Sequence, residues 1–328
     1  MARSDQTTNP LTVGQRVFER YYLKRPLGSG GMSTVWLAHD RLTEQPVVLK
    51  FLSPHLIADE KEVERLRMEA LRSQQIAHPN IVQVHDFMHG GHGVAVAMEY
   101  VDGWSLWSMK VDKPGQRFTP EEIAPWMHNL CAALEHAHAA EVVHRDIKPA
   151  NLILSKEGVV KVLDLGLAHS STEATGITGT VDYLAPEKTD EPYRTDHRTD
   201  IYALGCTLYF LLTGKPVFVG RTALEKIVAH RETPAPTLPS PINAVFQRMV
   251  AKKPEDRFQS MVEVIQALAK KQGGRKTLWW VAGLLVVVLA GFALYQLNFP
   301  PPSAPVTADT AKESATKSKD RKAAEWAI

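Results

Sequence analysis

The spacing of apolar positions changes period several times along the chain, and each change marks an element. Val35 and Leu37 alternate with Thr34 and Trp36, the two-residue period of a strand over Thr34–His39, and a partner strand runs through Tyr21–Leu27. Pro46–Leu52, Ile81–Phe87 and Val94–Glu99 read as three more strands. Between them, Val63, Leu66, Ala70 and Leu71 recur at helical spacing and predict a helix over Asp59–Ile76. From Thr119 the helical period takes over. Thr119-Pro120-Glu121-Glu122 is a helix start, with Thr as the cap, Pro in the first turn and Glu122 able to reach back. Ile123, Trp126, Leu130, Leu134 and Ala137 form the buried stripe that follows. A short hairpin is expected from Leu152–Leu154, the turn Lys156-Glu157-Gly158 and Val159–Leu163. Beyond it lie an apolar helix from Thr199 to about Thr213 and helices at Leu224–Arg231, Ile242–Val250 and Ser260–Lys270. Strands first and helices second predict an α+β fold of two lobes.

The two ends read differently. Residues 1–20 read as a leader, loose over 1–16, and Met1–Pro10 is polar without the apolar core of a signal peptide. Leu278–Leu297 is twenty residues without a charge, with Trp279 and Trp280 at one end and Tyr295 near the other. At ~1.5 Å per residue that is about 30 Å, the thickness of a bilayer's hydrocarbon core, so a single transmembrane helix is expected. Lys270, Lys271, Arg275 and Lys276 stand immediately before it, and the first basic residue after it is Lys312. The positive-inside rule then puts residues 1–277 in the cytoplasm, with 272–277 as the juxtamembrane link. The tail, 298–328, is Pro-rich and then rich in Ala, Lys, Asp and Glu; it is expected to lie outside and to be disordered.

Composition excludes little. With 328 residues, 23% charged and 44% hydrophobic, the chain is long enough for two domains or one two-lobed domain. A net charge of +2, with no basic block in the first 270 residues, gives no reason to expect nucleic acid as a partner. Cys131 and Cys206 both sit in apolar helical patterns, where core packing is the expectation rather than a disulfide or a metal site.

Candidate chemistry concentrates in two places. His144-Arg145-Asp146-Ile147-Lys148-Pro149-Ala150-Asn151 and Asp164-Leu165-Gly166 flank the expected hairpin. Acidic and amide groups converging beside a lysine suit the holding of Mg²⁺ and phosphate next to a hydroxyl nucleophile. Gly28-Ser29-Gly30-Gly31-Met32-Ser33, between two strands, would let backbone N–H groups approach phosphates, although many hairpin turns hold such glycines. Lys50 interrupts an apolar strand, which is costly unless the amine is paired; a snorkelling edge lysine is the plainer alternative. Glu62, Glu64 and Glu69 on the next helix are its candidate partners. His85, His89 and His92 raise the question of a metal, but a flexible hairpin is the plainer reading of Gly90-Gly91-His92-Gly93.

Taken together, these strings resemble the eukaryotic-like (Hanks-type) serine/threonine protein kinases, in particular the bacterial transmembrane ones. The resemblance covers residues 21–271 and implies a β-rich lobe over 21–99, a hinge at 100–103 and a helical lobe over 104–271. It implies ATP and Mg²⁺ as cofactors and serine or threonine residues of proteins as substrates. Asp146 would orient the acceptor hydroxyl and take its proton, Lys148 would stabilise the transferring phosphoryl group, and Asn151 and Asp164 would hold Mg²⁺. Lys50, paired with Glu69, would hold the α- and β-phosphates. Leu27, Gly28, Ser29, Gly30, Gly31, Ser33, Val35, Val48, Met98, Glu99, Val101 and Ile153 would complete the nucleotide site, with Met98 as gatekeeper. Glu187 of Ala185-Pro186-Glu187 would pair with Arg257, and Asp200 would bond back to the catalytic-loop backbone.

Between Gly166 and Ala185 lies a hydroxyl-rich stretch that corresponds to an activation segment. Thr175 and Thr178 are its candidate phosphorylation sites, with Arg145 as the phosphate's partner, and Thr180 would serve substrate docking. The chain departs from the family pattern at Ser33, Val48, Ala150 and Leu165, which stand where glycine, alanine, glutamate and phenylalanine are commoner. A homodimer would allow autophosphorylation in trans. Two rival readings follow from the same residues: a pseudokinase scaffold, opposed by the intact Lys50, Asp146, Asn151 and Asp164, and a small-molecule kinase, opposed by the activation segment, Glu187 and Arg257.

Overall fold

The computed structural model describes residues 11–271 except 31–32, 55–56, 58–59, 167–180, 190–195 and 239–240. Gly31, Thr175, Thr178, Thr180 and the apolar run 278–297 therefore lie outside the described residues. Among the described residues, no helix is long and apolar enough to cross a membrane.

The first half is a six-stranded antiparallel sheet. Its strands are β1 (Arg16–Val17), β2 (Tyr21–Ser29), β3 (Ser33–Asp40), β4 (Gln45–Leu52), β5 (Val84–Gly90) and β6 (Gly93–Glu99), in the order β1-β2-β3-β4-β6-β5. Helix α1 (Glu60–Gln74) falls between β4 and β5 and turns Val63, Leu66 and Ala70 inward, as its spacing predicts. Tyr21, Leu23, Trp36, Val47 and Leu49 fill one side of the sheet; Val82, Val84, Val96 and Met98 pack with Ala70 on the other. The leader is not loose throughout. Val17 is fully buried, β1 pairs with Tyr21 and Tyr22, and the Phe18 ring stacks on Phe51 at 6.0 Å. Phe18 and Glu19, with φ of 48° and 56°, make the turn from β1 to β2 without a glycine.

The second half is helical. β7 (Gly103–Ser105) leads into α2 (Leu106–Asp112) and then α3 (Pro120–Ala139). Thr119 Oγ accepts from the Glu122 N–H while the Glu122 side chain accepts from the Thr119 N–H, so the expected capping box is present in full. The hairpin is β8 (Leu152–Ser155) and β9 (Val160–Val162), which with β7 makes a three-stranded sheet. Next come α4 (Arg198–Thr213), α5 (Ala223–Glu232), α6 (Asn243–Met249) and α7 (Met261–Lys271). Helix α4 is the axle: twelve of its residues are buried. At Gly205 a Cβ would come within 2.8 Å of Val250 and 2.9 Å of Met249, so the glycine is what lets α6 approach. Cys131 and Cys206 are free and fully enclosed, and burial pushes the Cys131 thiol up to about 12, which fits core packing.

Candidate active site

The hairpin register assembles the site. Leu152 faces Val162 across the pair, and the Leu163 N–H donates to Asn151 O at 2.9 Å, so Asn151 lies opposite the residue preceding Asp164. Both Asn151 Nδ2 hydrogens are engaged by Asp146, at 2.8 Å to its carbonyl and 2.9 Å to Oδ2. The amide oxygen is then the atom left to meet a cation. Lys148 Nζ lies 2.6 Å from Asp146 Oδ2. The residues predicted to be catalytic and metal-holding are thus brought together.

The loop that carries them is fastened from below. Asp200, fully buried at the start of α4, accepts from the N–H groups of His144 and Arg145, each at 2.8 Å, and pairs with His138 Nε2 at 2.8 Å. Burial alone would raise this carboxyl, but the His138 hydrogen bond and the neighbouring imidazoles outweigh it and hold it below the ordinary carboxylate range. His144 Nδ1 accepts from the Asp146 N–H at 3.1 Å, so its Nε2 donates, to Leu163 O at 2.7 Å. One imidazole therefore ties the loop to the strand end before Asp164. Arg145 and Asp164 both occupy left-handed backbone, with φ of 68° and 57°. Such conformations cost on the order of 1 kcal/mol or more in non-glycine residues and are kept where the surroundings fix them.

On the sheet side, Lys50 is the register partner of Val35 and Val96, and Val48 of Leu37 and Met98. Val48, Val101 and Leu163 pack against the cluster containing Met98. Gly28 and Gly30 face open space, and the Gly30 N–H donates to Ser33 O at 2.9 Å, closing the turn. Leu27 is exposed, and Ile153 lies half-buried between Ser105 and Lys161. One expected contact is replaced by another. Lys50 pairs with Asp164, 2.9 Å from Oδ2, and not with Glu69. Burial would raise the Asp164 carboxyl, yet the Lys50 ammonium outweighs it and the net shift is downward. Glu69 Oε1 instead sits 3.5 Å from Arg65 and 3.9 Å from Arg145, and its Oε2 is buried without a hydrogen-bond partner. Burial, only partly offset by Arg65 and Arg145, pushes the Glu69 carboxyl up. Helix α1 is nonetheless tied to the triplet: Ser73 Oγ donates to Leu165 O at 2.8 Å, and a Cβ at Gly166 would come within 3.0 Å of Ser73 Oγ.

The expected pair below the site is present. Arg257, fully buried, reaches both Glu187 oxygens at 2.7 Å. Three functional side chains escaped the reading of the sequence. Lys161 Nζ lies 2.7 and 2.9 Å from the two carboxylate oxygens of Glu99 and so clamps the hinge to β9. Lys188 Nζ donates to Arg145 O at 2.7 Å, and burial lowers its pKa. His138 holds Asp200. Lys161, between buried Val160 and Val162, is like Lys50 a lysine inside an apolar strand, where an amine is costly unless paired.

Comparison with known proteins fits this geometry. The family model described as a protein kinase domain matches residues 21–271. The chain belongs to the protein kinase family. Its relatives include the serine/threonine-protein kinase PknB of Mycobacterium tuberculosis, 35% identical over 282 residues, covering 80% of this chain and 45% of PknB. PrkC of Bacillus subtilis is 34% identical over 262 residues, covering 76% of this chain and 40% of PrkC. The chain thus spans less than half the length of these curated relatives. Among solved structures, the PknI kinase domain of Mycobacterium tuberculosis superposes with a TM-score of 0.65 at 28% identity, over 80% of this chain and all of that one. The two-lobed kinase fold is therefore the fold of residues 21–271.

Proposed function

We propose that this chain is a membrane-anchored serine/threonine protein kinase that moves the γ-phosphoryl group of ATP to hydroxyls of proteins. The observation that carries the reading is the set Asp146, Lys148 and Asn151 on one loop, held by Asp200 and placed by the hairpin beside Asp164. The donors fit Mg²⁺, which takes hard oxygens: the Asn151 amide oxygen and the Asp164 carboxylate. When bound, Mg²⁺ would neutralise phosphate charge. Asp146 accepts the proton of the substrate hydroxyl as its oxygen bonds to the γ-phosphorus and the bond from that phosphorus to the ADP oxygen breaks. Lys148 offsets the charge on the moving group, and Lys50 binds the remaining phosphates. Positioning and charge stabilisation supply most of the catalysis.

Two finer points belong to the same reading. A phosphate on Thr175 or Thr178 would pair with Arg145, drawing it from Glu69 and freeing Glu69 for Lys50. The apolar run 278–297 would anchor the kinase domain on the cytoplasmic face of the membrane, and a homodimer would allow the phosphorylation to occur in trans.

The test is an autophosphorylation assay on full-length protein in detergent with ATP and Mg²⁺, with phosphosites mapped by mass spectrometry. Phosphate on the activation segment of the wild type, and a loss of at least about a hundredfold in Asp146→Asn, is the expected result. Equal labelling of both proteins would sink the assignment of Asp146. No transfer to itself or to any protein substrate would favour a nucleotide-binding scaffold.

A further inference from the structure

Trp107 stands out on the face of α2. It is 46% exposed although its ring lies parallel to Phe210, with centroids 5.2 Å apart and planes 4° from coplanar. Phe210, 4% exposed, also receives the edge of Tyr183 at 6.2 Å. Tyr183 in turn lines a small pocket with Asp146, Arg145, Leu184 and Lys188. An aromatic path thus runs from the wall beside Asp146 to an indole open to solvent. Helix α2 itself packs on the turn Pro149–Asn151, in the loop that carries Asp146. At that turn the exposed residue is Ala150, so no carboxylate stands there.

The local charges point the same way. Lys110 Nζ lies 4.6 Å over the Phe210 ring while donating to Gly214 O at 3.0 Å. An incoming arginine or lysine would meet a ring whose faces are already taken by Trp107 and by the Lys110 ammonium. An incoming leucine or phenylalanine would find an indole that has surface still to bury.

We propose that Trp107, backed by Phe210, receives a large apolar side chain of the protein substrate close to the acceptor serine or threonine, and that basic residues are disfavoured there. The proposal rests on the kinase reading above and names the substrate class for it. An extended chain advances ~3.3 Å per residue, so two ring contacts plus the pocket wall place the indole within about three to five residues of the acceptor. The indole and the acceptor site lie on neighbouring elements, α2 and the Pro149–Asn151 turn, over the shared buried rings of Phe210 and Tyr183.

The experiment is a positional scan of peptides, varying each position within five of the acceptor among Phe, Leu, Ala and Arg, against full-length protein in detergent. In the wild type, one position should favour Phe or Leu over Arg by about tenfold or more in kcat/KM. Trp107→Ala should erase that preference at that position alone, mainly through KM for peptide, and Trp107→Phe should restore it. A preference for Arg in the wild type, or an apolar preference that survives Trp107→Ala, overturns the proposal. The same peptides are bound to Asp146→Asn and to the double variant Asp146→Asn/Trp107→Ala, read by fluorescence anisotropy. If no peptide is phosphorylated, the kinase reading fails by itself. Anisotropy still decides the surface, which stands only if apolar peptides bind more tightly and the tryptophan carries the difference.

Discussion

The charged groups beneath the catalytic loop and those in the cleft above it are held by different rules. Arg257 uses all five of its N–H donors: two on Glu187, and one each on the carbonyls of Ala251, Lys252 and Arg198, at 2.7 to 3.1 Å. Asp200 likewise accepts three bonds of 2.8 Å. Such groups have one arrangement, and any other would leave a buried charge unpaired. Above, Glu69 has two long contacts and a bare oxygen, and Lys50 rests on Asp164. Nothing there is over-determined. The lower network makes a fixed platform, whereas the upper charges rest on single or long contacts, as the proposed exchange of Glu69 from Arg145 to Lys50 requires.

This contrast can be broken in order of size. Replacing Arg257 by Met should cost about 3–5 kcal/mol, because Glu187 is left uncompensated; chemical denaturation of full-length protein would measure it. A cost below about 1 kcal/mol would show that the platform is no stiffer than the cleft.

His230 tests the platform through pH. It is buried, shares a 2.8 Å hydrogen bond with Tyr202, and is pushed down from 6.5 to about 4 by burial and by the Lys252 and Lys226 ammonium groups. Between those two values the unfolded chain binds a proton that the folded chain refuses. Stability should therefore be full above pH 6.5 and fall as the pH drops toward 4, by up to roughly 3 kcal/mol from this residue. His230→Gln should flatten that limb, and an unchanged slope would remove His230 from the account.

Glu69→Gln sharpens the comparison from the other side. Stability should stay within about 1 kcal/mol of the wild type, since a carboxyl already raised by burial becomes a neutral amide. Phosphoryl transfer should nevertheless fall about tenfold or more, if Glu69 becomes the partner of Lys50 in the working state. Loss of stability without loss of rate would mean that Glu69 is merely structural.

The legible and illegible parts of the chain divide by range. Thr119 and Glu122 and the Leu152–Val162 hairpin were readable because local spacing fixes each, whereas the Arg257–Glu187 pair, seventy residues apart, came only from the resemblance to the kinase family. The partner of Lys50 was not. The residues name the charges available, and which pairing wins depends on how α1 sits, a matter of small differences between long contacts. The strand Arg16–Val17 escaped because two residues show no period and its turn uses Phe18 and Glu19 where a glycine or asparagine would have announced it. Lys161 escaped because its partner, Glu99, lies sixty-two residues away, with only a strand's worth of context around each.

That last pair has a kinetic meaning. Glu99 ends β6, its N–H donates to Gln83 O, and its carboxylate is gripped by β9 of the other lobe. The joint between the lobes is therefore strapped on one side. Strand β9 also accepts from the Val82 N–H and donates to Asn80 O through Val162, so opening the cleft on this side loads several bonds together. For the kinase proposed above, residence time of a spent nucleotide, rather than the speed of phosphoryl transfer, is the quantity such a strap would set.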